Sequence, residues 1–225
     1  MPASALPLHV WLSPAFPVGS FAYSHGLEWA VEAGIVSDAA SLASWLEDLT
    51  AHGAVRSDTI LVSMAWHAAK NGDLHGLGEI NALALALAGG RERALETSAQ
   101  GTAFLSAACA AWPCAILLAF RGEFTGPMAY PVALGMAAGG HNIALPATLE
   151  AFALAFVAML VSAAVRLGPI GQSQAQLVTA GMLPSIRALA LEAAGATMDD
   201  LGSCAFRSDI CALQHETQYS RLFRS

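Results

Sequence analysis

Apolar residues in this chain recur at helical spacing, and Gly- or Pro-containing turns separate the runs. In residues 37–49, leucine and tryptophan repeat every three or four positions behind a Ser-Asp pair that can cap a helix. Residues 83–87 alternate with period two, but only alanine, the best helix former, lies between the leucines. We therefore expect an all-α fold, a single-domain bundle of about nine or ten helices. Further helical runs lie at residues 27–34, 61–72 and 186–195.

The composition predicts a large core with apolar surface left over. Of the 225 residues, 56% are hydrophobic and only 12% are charged. Nothing resembling a Pro/Ser-rich linker divides the chain, so one folded unit is expected. The surplus of apolar surface indicates protein partners. We divide the chain into an all-helical domain, residues 1–202, and a C-terminal partner-binding tail, residues 203–225.

Charge and residue counts argue against several functions. A net charge of -7 with only ten Lys plus Arg disfavours nucleic-acid binding, which needs a basic face. The single lysine, Lys70, follows no Gly-rich loop, so the chain has no P-loop. The seven histidines form no i, i+4 pair and no tight Cys/His cluster, so the sequence predicts no cofactor and no preformed metal site. His215, beside Glu216, is the best single candidate for a transient metal contact.

No membrane span or secretory signal is predicted. The uncharged run at residues 151–165 is short for the hydrocarbon layer and typical of a core helix. The run at residues 101–120 is interrupted at Trp112-Pro113, since proline disfavours helical conformation in the preceding residue. The expected location is cytoplasmic, with the four cysteines as buried free thiols.

The last eleven residues, 215–225, combine two arginines, a histidine, a glutamate and two aromatics. This is the composition of an interface anchor. A solvent-exposed final helix or a disordered end is the alternative interpretation. A second unusual block, residues 13–28, mixes aromatic residues with proline and glycine and predicts a rigid loop entering a helix. Its role is either a structural staple or a contact face.

Together these blocks resemble urease accessory protein UreF. The resemblance rests on residues 13–28, on Arg-Glu-Arg at 91–93 with Gln100-Gly101, on residues 166–172 and on residues 215–221. Four such blocks in this order form a specific pattern that extends over essentially the whole chain. The resemblance also implies an all-helical fold.

The resemblance implies a non-enzymatic scaffold for nickel insertion into apo-urease. Its implied partners are the accessory protein UreD (UreH in some organisms), the GTPase UreG, apo-urease and a second copy of the chain in a homodimer. Two routes to GTPase modulation stay open: an arginine supplied in trans to the transferring phosphoryl group, or positioning of the GTPase's own loops. The alternatives are an independent nickel-binding chaperone and a hydrolase with an isolated Glu/His pair.

The residues that we assign to partner binding come from three of these blocks. They combine aromatic rings with charged groups, the side chains most common at interface hot spots. No catalytic residue is assigned. The candidate partner-binding residues are Phe21, Tyr23, His25, Glu28, Arg91, Arg93, His215, Glu216, Tyr219, Arg221, Phe223 and Arg224.

Overall fold

A computed structural model describes residues 4–225, which form a bundle of α-helices without a β-strand in that range. The first two helices have six residues each, and the ten helices that follow have nine residues or more. The predicted all-α class is therefore confirmed. The helices are α1 (Leu6–Trp11), α2 (Leu27–Glu32), α3 (Ala39–His52), α4 (Ala54–Lys70), α5 (Leu74–Ala86), α6 (Arg91–Ala111), α7 (Ala115–Glu123), α8 (Tyr130–Gly140), α9 (Leu145–Leu167), α10 (Gln172–Gly181), α11 (Leu183–Ala194) and α12 (Phe206–His215).

Local sequence signals place several helix ends where they were expected, although α4 begins at Ala54, ahead of the run predicted at residues 61–72. Asp38 caps α3, and its carboxylate accepts from the main-chain N–H of Ser41 at 2.8 Å. The Trp112-Pro113 pair separates α6 from α7, as predicted from the restriction that proline places on the preceding residue. The period-two stretch at residues 83–87 lies at the end of α5, which confirms the helical interpretation.

The centre of the bundle is the packing of α8 against α4. Of the eleven residues of α8, nine are buried, and most are alanine, glycine or valine-sized. A Cβ added to Gly135 would lie 2.3 Å from the main-chain oxygen of Val62, so only glycine permits this approach. The small residues of α8 thus allow close helix packing within the chain.

Helix α9 is the longest element, and it contains the uncharged run noted in the sequence. It has 23 residues, and its most apolar stretch of 18 residues has a mean hydropathy of 2.1. Half of that stretch is buried. By length and composition alone it could cross a membrane, as could the bent pair α10 and α11 taken together. In the bundle, α9 packs against α2, α3, α4, α10 and α11, which is the arrangement of a core helix.

The segment assigned as a tail, residues 203–225, consists of α12 followed by ten irregular residues. Helix α12 packs against α2, and the main-chain N–H of Cys204 donates to the oxygen of His52 at 2.9 Å. All four cysteines are free, but only Cys109 and Cys211 are buried. Cys204 is exposed, contrary to the expectation of buried thiols, because the loop before α12 lies on the surface.

We predict that Gly135→Ala lowers the free energy of unfolding by about 1–3 kcal/mol, because the new methyl group overpacks the contact of α8 with α4. Gly78→Ala in α5 is the control, since its added Cβ meets no atom within 4 Å. It should raise stability by about 0.5–1 kcal/mol through the helix preference of alanine. Chemical denaturation of both variants measures the difference. Equal effects would contradict the packing explanation.

Candidate functional site

Three segments that are far apart in sequence meet at one end of the bundle. They are residues 20–28, the first turns of α6, and residues 215–225, and we call their meeting point the junction. Most of its polar side chains are buried or half-buried. The junction comprises Ser24, His25, Glu28, Glu92, Arg93, Glu96, His215, Glu216, Phe223 and Ser225.

Glu28, in the first turn of α2, holds the last residues of the chain. One carboxylate oxygen accepts from the main-chain N–H of Leu222 at 2.6 Å, and the other from that of Phe223 at 2.9 Å. The second oxygen also lies 3.0 Å from Nε2 of His215. Because Glu28 is buried, each of these charge-assisted contacts is protected from water.

His215, the last residue of α12, links α2 to α6. Its side chain is fully buried, and its Nδ1 lies 2.7 Å from a carboxylate oxygen of Glu92. Both ring nitrogens therefore face carboxylates, one on each helix. The other oxygen of Glu92 accepts from Arg221 at 2.7 Å, so Glu92 is bonded to two residues of the C-terminal segment.

Glu216 caps α6 from a distance in sequence. The residue before this helix, Gly90, has no side chain that could serve as a cap. A carboxylate oxygen of Glu216 accepts from the main-chain N–H of Arg91 at 2.7 Å and lies 3.4 Å from that of Glu92. A negative charge at a helix N-terminus is favourable, so α6 and the C-terminal segment stabilise each other.

Main-chain pairing completes the docking of the last residues. The N–H of Arg224 donates to the oxygen of Ala22, and the N–H of Ser24 to that of Ser225, both at 2.7 Å. The ring of Phe223 is buried, and the guanidinium of Arg166 lies 4.2 Å from its centroid. Arg166, in the last turn of α9, thus connects this helix to the C-terminal segment.

Part of the junction is an ionic cluster around Arg93. Its Nη1 lies 2.8 Å from Glu96 and 3.1 Å from Nε2 of His25, while its Nη2 lies 3.5 Å from Asp58. Glu96 also contacts Nε2 of His25 at 2.8 Å and accepts from Gln100 at 2.9 Å. The cluster therefore joins α4, α6 and the loop before α2 through charged groups.

The two carboxyls of this cluster have opposite shifts in pKa. Burial acts against ionisation of Glu96, but the neighbouring His25 and Arg93 outweigh it and lower the pKa to about 2. For Asp58, burial dominates over the attraction of Arg93 and raises the pKa to about 6. Burial, followed by the charge of Arg93, lowers the pKa of His25 against the opposing effect of Glu96. The ring of His25 is therefore neutral at pH 7.

Comparison with known proteins gives one consistent result. The UreF family model matches residues 36–183. The urease accessory protein UreF of Xanthobacter autotrophicus is 56% identical over 100% of this chain and 92% of its own length. That of Methylobacterium radiotolerans is 53% identical over 98% of this chain and 96% of its own length. The UreF of Azorhizobium caulinodans is 49% identical over 100% of this chain and 97% of its own length.

The chain belongs to the UreF family. The resemblance read from the sequence motifs is thereby confirmed. Three of the four motif blocks of UreF quoted above contribute polar side chains to the junction, and the fourth contributes the Arg166 guanidinium over Phe223. In this UreF-family chain, the motif residues thus share contacts with one another.

The structure divides the twelve predicted site residues into two groups. Six of them hold the junction together or lie beneath it: Tyr23, His25, Glu28, Arg93, His215 and Phe223. Glu216 caps α6 with its carboxylate while part of its side chain stays accessible. The remaining five expose their side chains to solvent: Phe21, Arg91, Tyr219, Arg221 and Arg224.

Sequence reasoning assigned no site role to Glu92, Glu96 or Asp58. Arg93 and Glu96 pair at i, i+3 on α6. Their surroundings are not confined to the surface of this helix, because Glu96 is buried and Glu92 bonds to His215 and Arg221. No local signal could reveal these contacts, since the partners lie more than a hundred residues away in sequence.

Gly26 shows why the loop before α2 has its particular sequence. Its φ of +74° is left-handed, and an added Cβ would lie 2.5 Å from the main-chain nitrogen of Ala212. Only glycine therefore lets α12 approach the start of α2. The hydroxyl of Ser24, two residues earlier, accepts from the main-chain N–H of Glu28 at 3.3 Å.

Across residues 4–225, no three or more His, Cys, Asp or Glu side chains form a group that could hold a metal ion. His215, the candidate for a transient metal contact, has both ring nitrogens directed at carboxylates.

We predict that Glu28→Gln lowers the free energy of unfolding by about 2 kcal/mol or more, because buried charge-assisted hydrogen bonds are lost. The amide NH₂ would face the N–H group of either Leu222 or Phe223, two donors without an acceptor, so residues 216–225 should exchange their amide hydrogens faster. Hydrogen exchange by mass spectrometry measures this effect. Glu47→Gln, at an exposed position of α3, is the control and should change neither property. Unchanged protection of residues 216–225 in Glu28→Gln would contradict the prediction.

We predict that Asp58→Asn stabilises the fold at pH 7.5 by about 1 kcal/mol, since a carboxyl with a raised pKa is costly to ionise in the folded state. The folded-state pKa of Asp58, about 6, exceeds its ordinary value of 3.8, so the neutral Asp58 carboxyl makes its full contribution to wild-type stability below pH 3.8. This contribution is lost as the pH rises through 6. The advantage of the variant should therefore be absent below pH 3.8 and constant above about pH 6. Urea denaturation across this range checks it, and a pH-independent difference would contradict the assignment.

Proposed function

We propose that this chain acts as a non-enzymatic scaffold in urease maturation. It joins the accessory protein UreD, or UreH, to the GTPase UreG on apo-urease, in the cytoplasm and as a homodimer. In this assembly, GTP-dependent steps in the partner deliver nickel to the active site. Membership of the UreF family supports a role in urease maturation, because the relatives named above are urease accessory proteins.

The observation that carries the scaffold role is the way residues 216–225 are mounted. Gln218 and Phe223 are buried, whereas Tyr219 is fully exposed and Leu222 is 63% exposed. Arg221 and Arg224 also reach solvent. The buried side chains anchor this segment, and the exposed ones between them form a strip that can contact a partner. Because the strip is ordered before binding, the entropic cost of association is lower.

The chemistry of this strip suits a protein partner. Tyrosine and arginine are the residues most often found at interface hot spots. The main-chain bond from Arg224 to Ala22 also brings the strip beside the exposed ring of Phe21. We assign this surface, formed by Phe21, Tyr219, Arg221, Leu222 and Arg224, to UreD and call it the tail surface. The buried residues of the junction hold the tail surface in position.

The scaffold role predicts that Tyr219→Ala combined with Arg224→Ala weakens binding of UreD by about tenfold or more, since two hot-spot side chains are removed. Both side chains are exposed, so the circular dichroism spectrum and melting temperature should be unchanged. Binding is measured by co-purification and titration with UreD, followed by urease activation with UreG.

The matched control changes an aliphatic and an arginine side chain on α11. Arg187 and Leu191 are exposed there, and Leu191 is 80% accessible. Arg187→Ala with Leu191→Ala should bind UreD as the wild type does. Full binding of UreD by the tail-surface variant would refute the assignment of this surface. Failure of the wild-type chain to support urease activation would refute the scaffold role itself.

A further inference from the structure

Both ring nitrogens of His215 lie against carboxylate oxygens at the junction. Nδ1 is 2.7 Å from Glu92, and Nε2 is 3.0 Å from Glu28. A neutral imidazole has one N–H donor and one nitrogen that accepts, whereas an ionised carboxylate only accepts. A neutral ring could therefore donate to one of these carboxylates, and its other nitrogen would direct a lone pair at the second. Both contacts together require one proton more than a neutral ring and two carboxylates hold.

The other contacts of the two carboxyls place this proton on the ring. Glu28 accepts from the main-chain N–H groups of Leu222 and Phe223 as well as contacting His215. Glu92 accepts from the guanidinium of Arg221 through its second oxygen, at 2.7 Å. Hydrogen bonds of this kind favour the ionised form of a carboxyl. In the docked chain, His215 is thus an imidazolium that donates from both nitrogens.

Burial makes the proton a structural part of these contacts. The side chain of His215 is 0% exposed, and that of Glu28 is 8% exposed. If the ring lost its proton, one nitrogen would face a carboxylate oxygen as a second acceptor, away from solvent. Two buried acceptors without a hydrogen between them are costly, because neither is satisfied. The neutral ring therefore cannot keep both contacts.

The carboxylates that hold His215 also hold the end of the chain. A single oxygen of Glu28 contacts Nε2 of His215 and accepts from the main-chain N–H of Phe223. Glu92 joins His215 to Arg221 in the same way, through its two oxygens. A change in the charge of the ring therefore acts directly on the groups that fix residues 216–225.

The charged groups around His215 come from α2, from α6 and from the residues that follow α12. The carboxylate of Glu216 is bonded to the N-terminus of α6, and the guanidinium of Arg166, from α9, lies over the ring of Phe223. The positive ring is the link between the carboxylates of two helices. The groups are Glu28, Glu92, Glu216, Arg221 and Arg166.

Two other groups at this end of the bundle also bear on pH dependence. The pKa of Asp58 is raised to about 6 by burial, and that of His25 is lowered, first by burial. Their contacts are with Arg93 and Glu96 in the ionic cluster. Titration of Asp58 changes the stability of the whole fold, so a test of His215 needs a readout confined to residues 216–225.

We propose that the proton on His215 controls the docking of residues 216–225: the imidazolium clamps them to α2 and α6, and loss of the proton releases them. Because the charged ring is the form present at lower pH, docking is strongest there and weakens as the pH rises. The inference concerns the free chain and does not rest on the proposed scaffold role. It makes the tail surface responsive to pH.

The first test is hydrogen exchange of the full chain from about pH 5 to about pH 8.5, which spans the range in which histidine ordinarily titrates. Protection factors correct for the intrinsic pH dependence of exchange. Across this range, protection of residues 216–225 should fall by about tenfold or more relative to α4, since a charge-assisted hydrogen bond is lost. Helix α4 is the internal reference because it reports the stability of the whole fold.

Glu92→Gln separates a role of the proton from a purely structural role of the contact. The new amide oxygen can still accept from Arg221, and the amide NH₂ can donate to Nδ1 of a neutral ring. Nε2–H of that ring then donates to Glu28, so no extra proton is needed. Protection of residues 216–225 in Glu92→Gln should therefore be the same at both ends of the pH range.

The matched control is Glu79→Gln on α5. It removes a carboxylate that lies beside another histidine, His75, at an exposed position. Its residues 216–225 should lose protection with rising pH as the wild type does.

NMR of the chain labelled with ¹⁵N-histidine observes the proton directly. The signal of His215 is identified by its absence in His215→Gln, and it should show hydrogen on both ring nitrogens wherever residues 216–225 are protected. A docked chain with only one protonated nitrogen on His215 would overturn the proposal. Constant protection in the wild type, or an undiminished pH dependence in Glu92→Gln, would overturn it as well. None of these measurements involves a partner, so the scaffold role keeps its own test.

Discussion

The buried carboxylate of Glu28 is the contact on which the arrangement of the junction depends. It accepts from two consecutive main-chain N–H groups of the C-terminal segment and contacts His215 of α12. A group with several acceptor sites is needed because an extended segment has no partner within itself for its N–H groups. Through Glu28, the position of residues 216–225 is set by α2.

Charge in this protein is scarce and concentrated at a few positions. Only 12% of the residues are charged, yet Glu28, Glu92, Glu96 and Arg93 all lie at or beneath the junction. Buried ion pairs contribute little net stability compared with apolar packing, but removing one partner is costly. The ionic contacts therefore specify which segments meet, whereas burial of apolar surface supplies the stability of the bundle.

The apolar composition has consequences on the outside as well. Close packing of α8 on α4 uses small side chains, whereas larger apolar side chains are exposed at other positions. Phe206, Ile210 and Leu213 form a stripe on α12, and Tyr219 and Leu222 extend from the segment that follows. Both surfaces are fixed to the bundle by the same junction. Exposed apolar side chains therefore lie on both α12 and the segment after it.

The sequence by itself determined the all-α class, some of the helix boundaries and the family. These depend on local signals: the spacing of apolar residues, the Asp38 cap, the break at Trp112-Pro113 and short motifs quoted in order. It also located the segments that form the candidate site. Only the tertiary structure decided that His215 and Phe223 are anchors while Tyr219 is exposed, and that Glu216 caps α6. It alone brought the two ring nitrogens of His215 to carboxylates on different helices. Those contacts join residues more than a hundred positions apart, and their free energy depends on burial and distance, which no local pattern encodes.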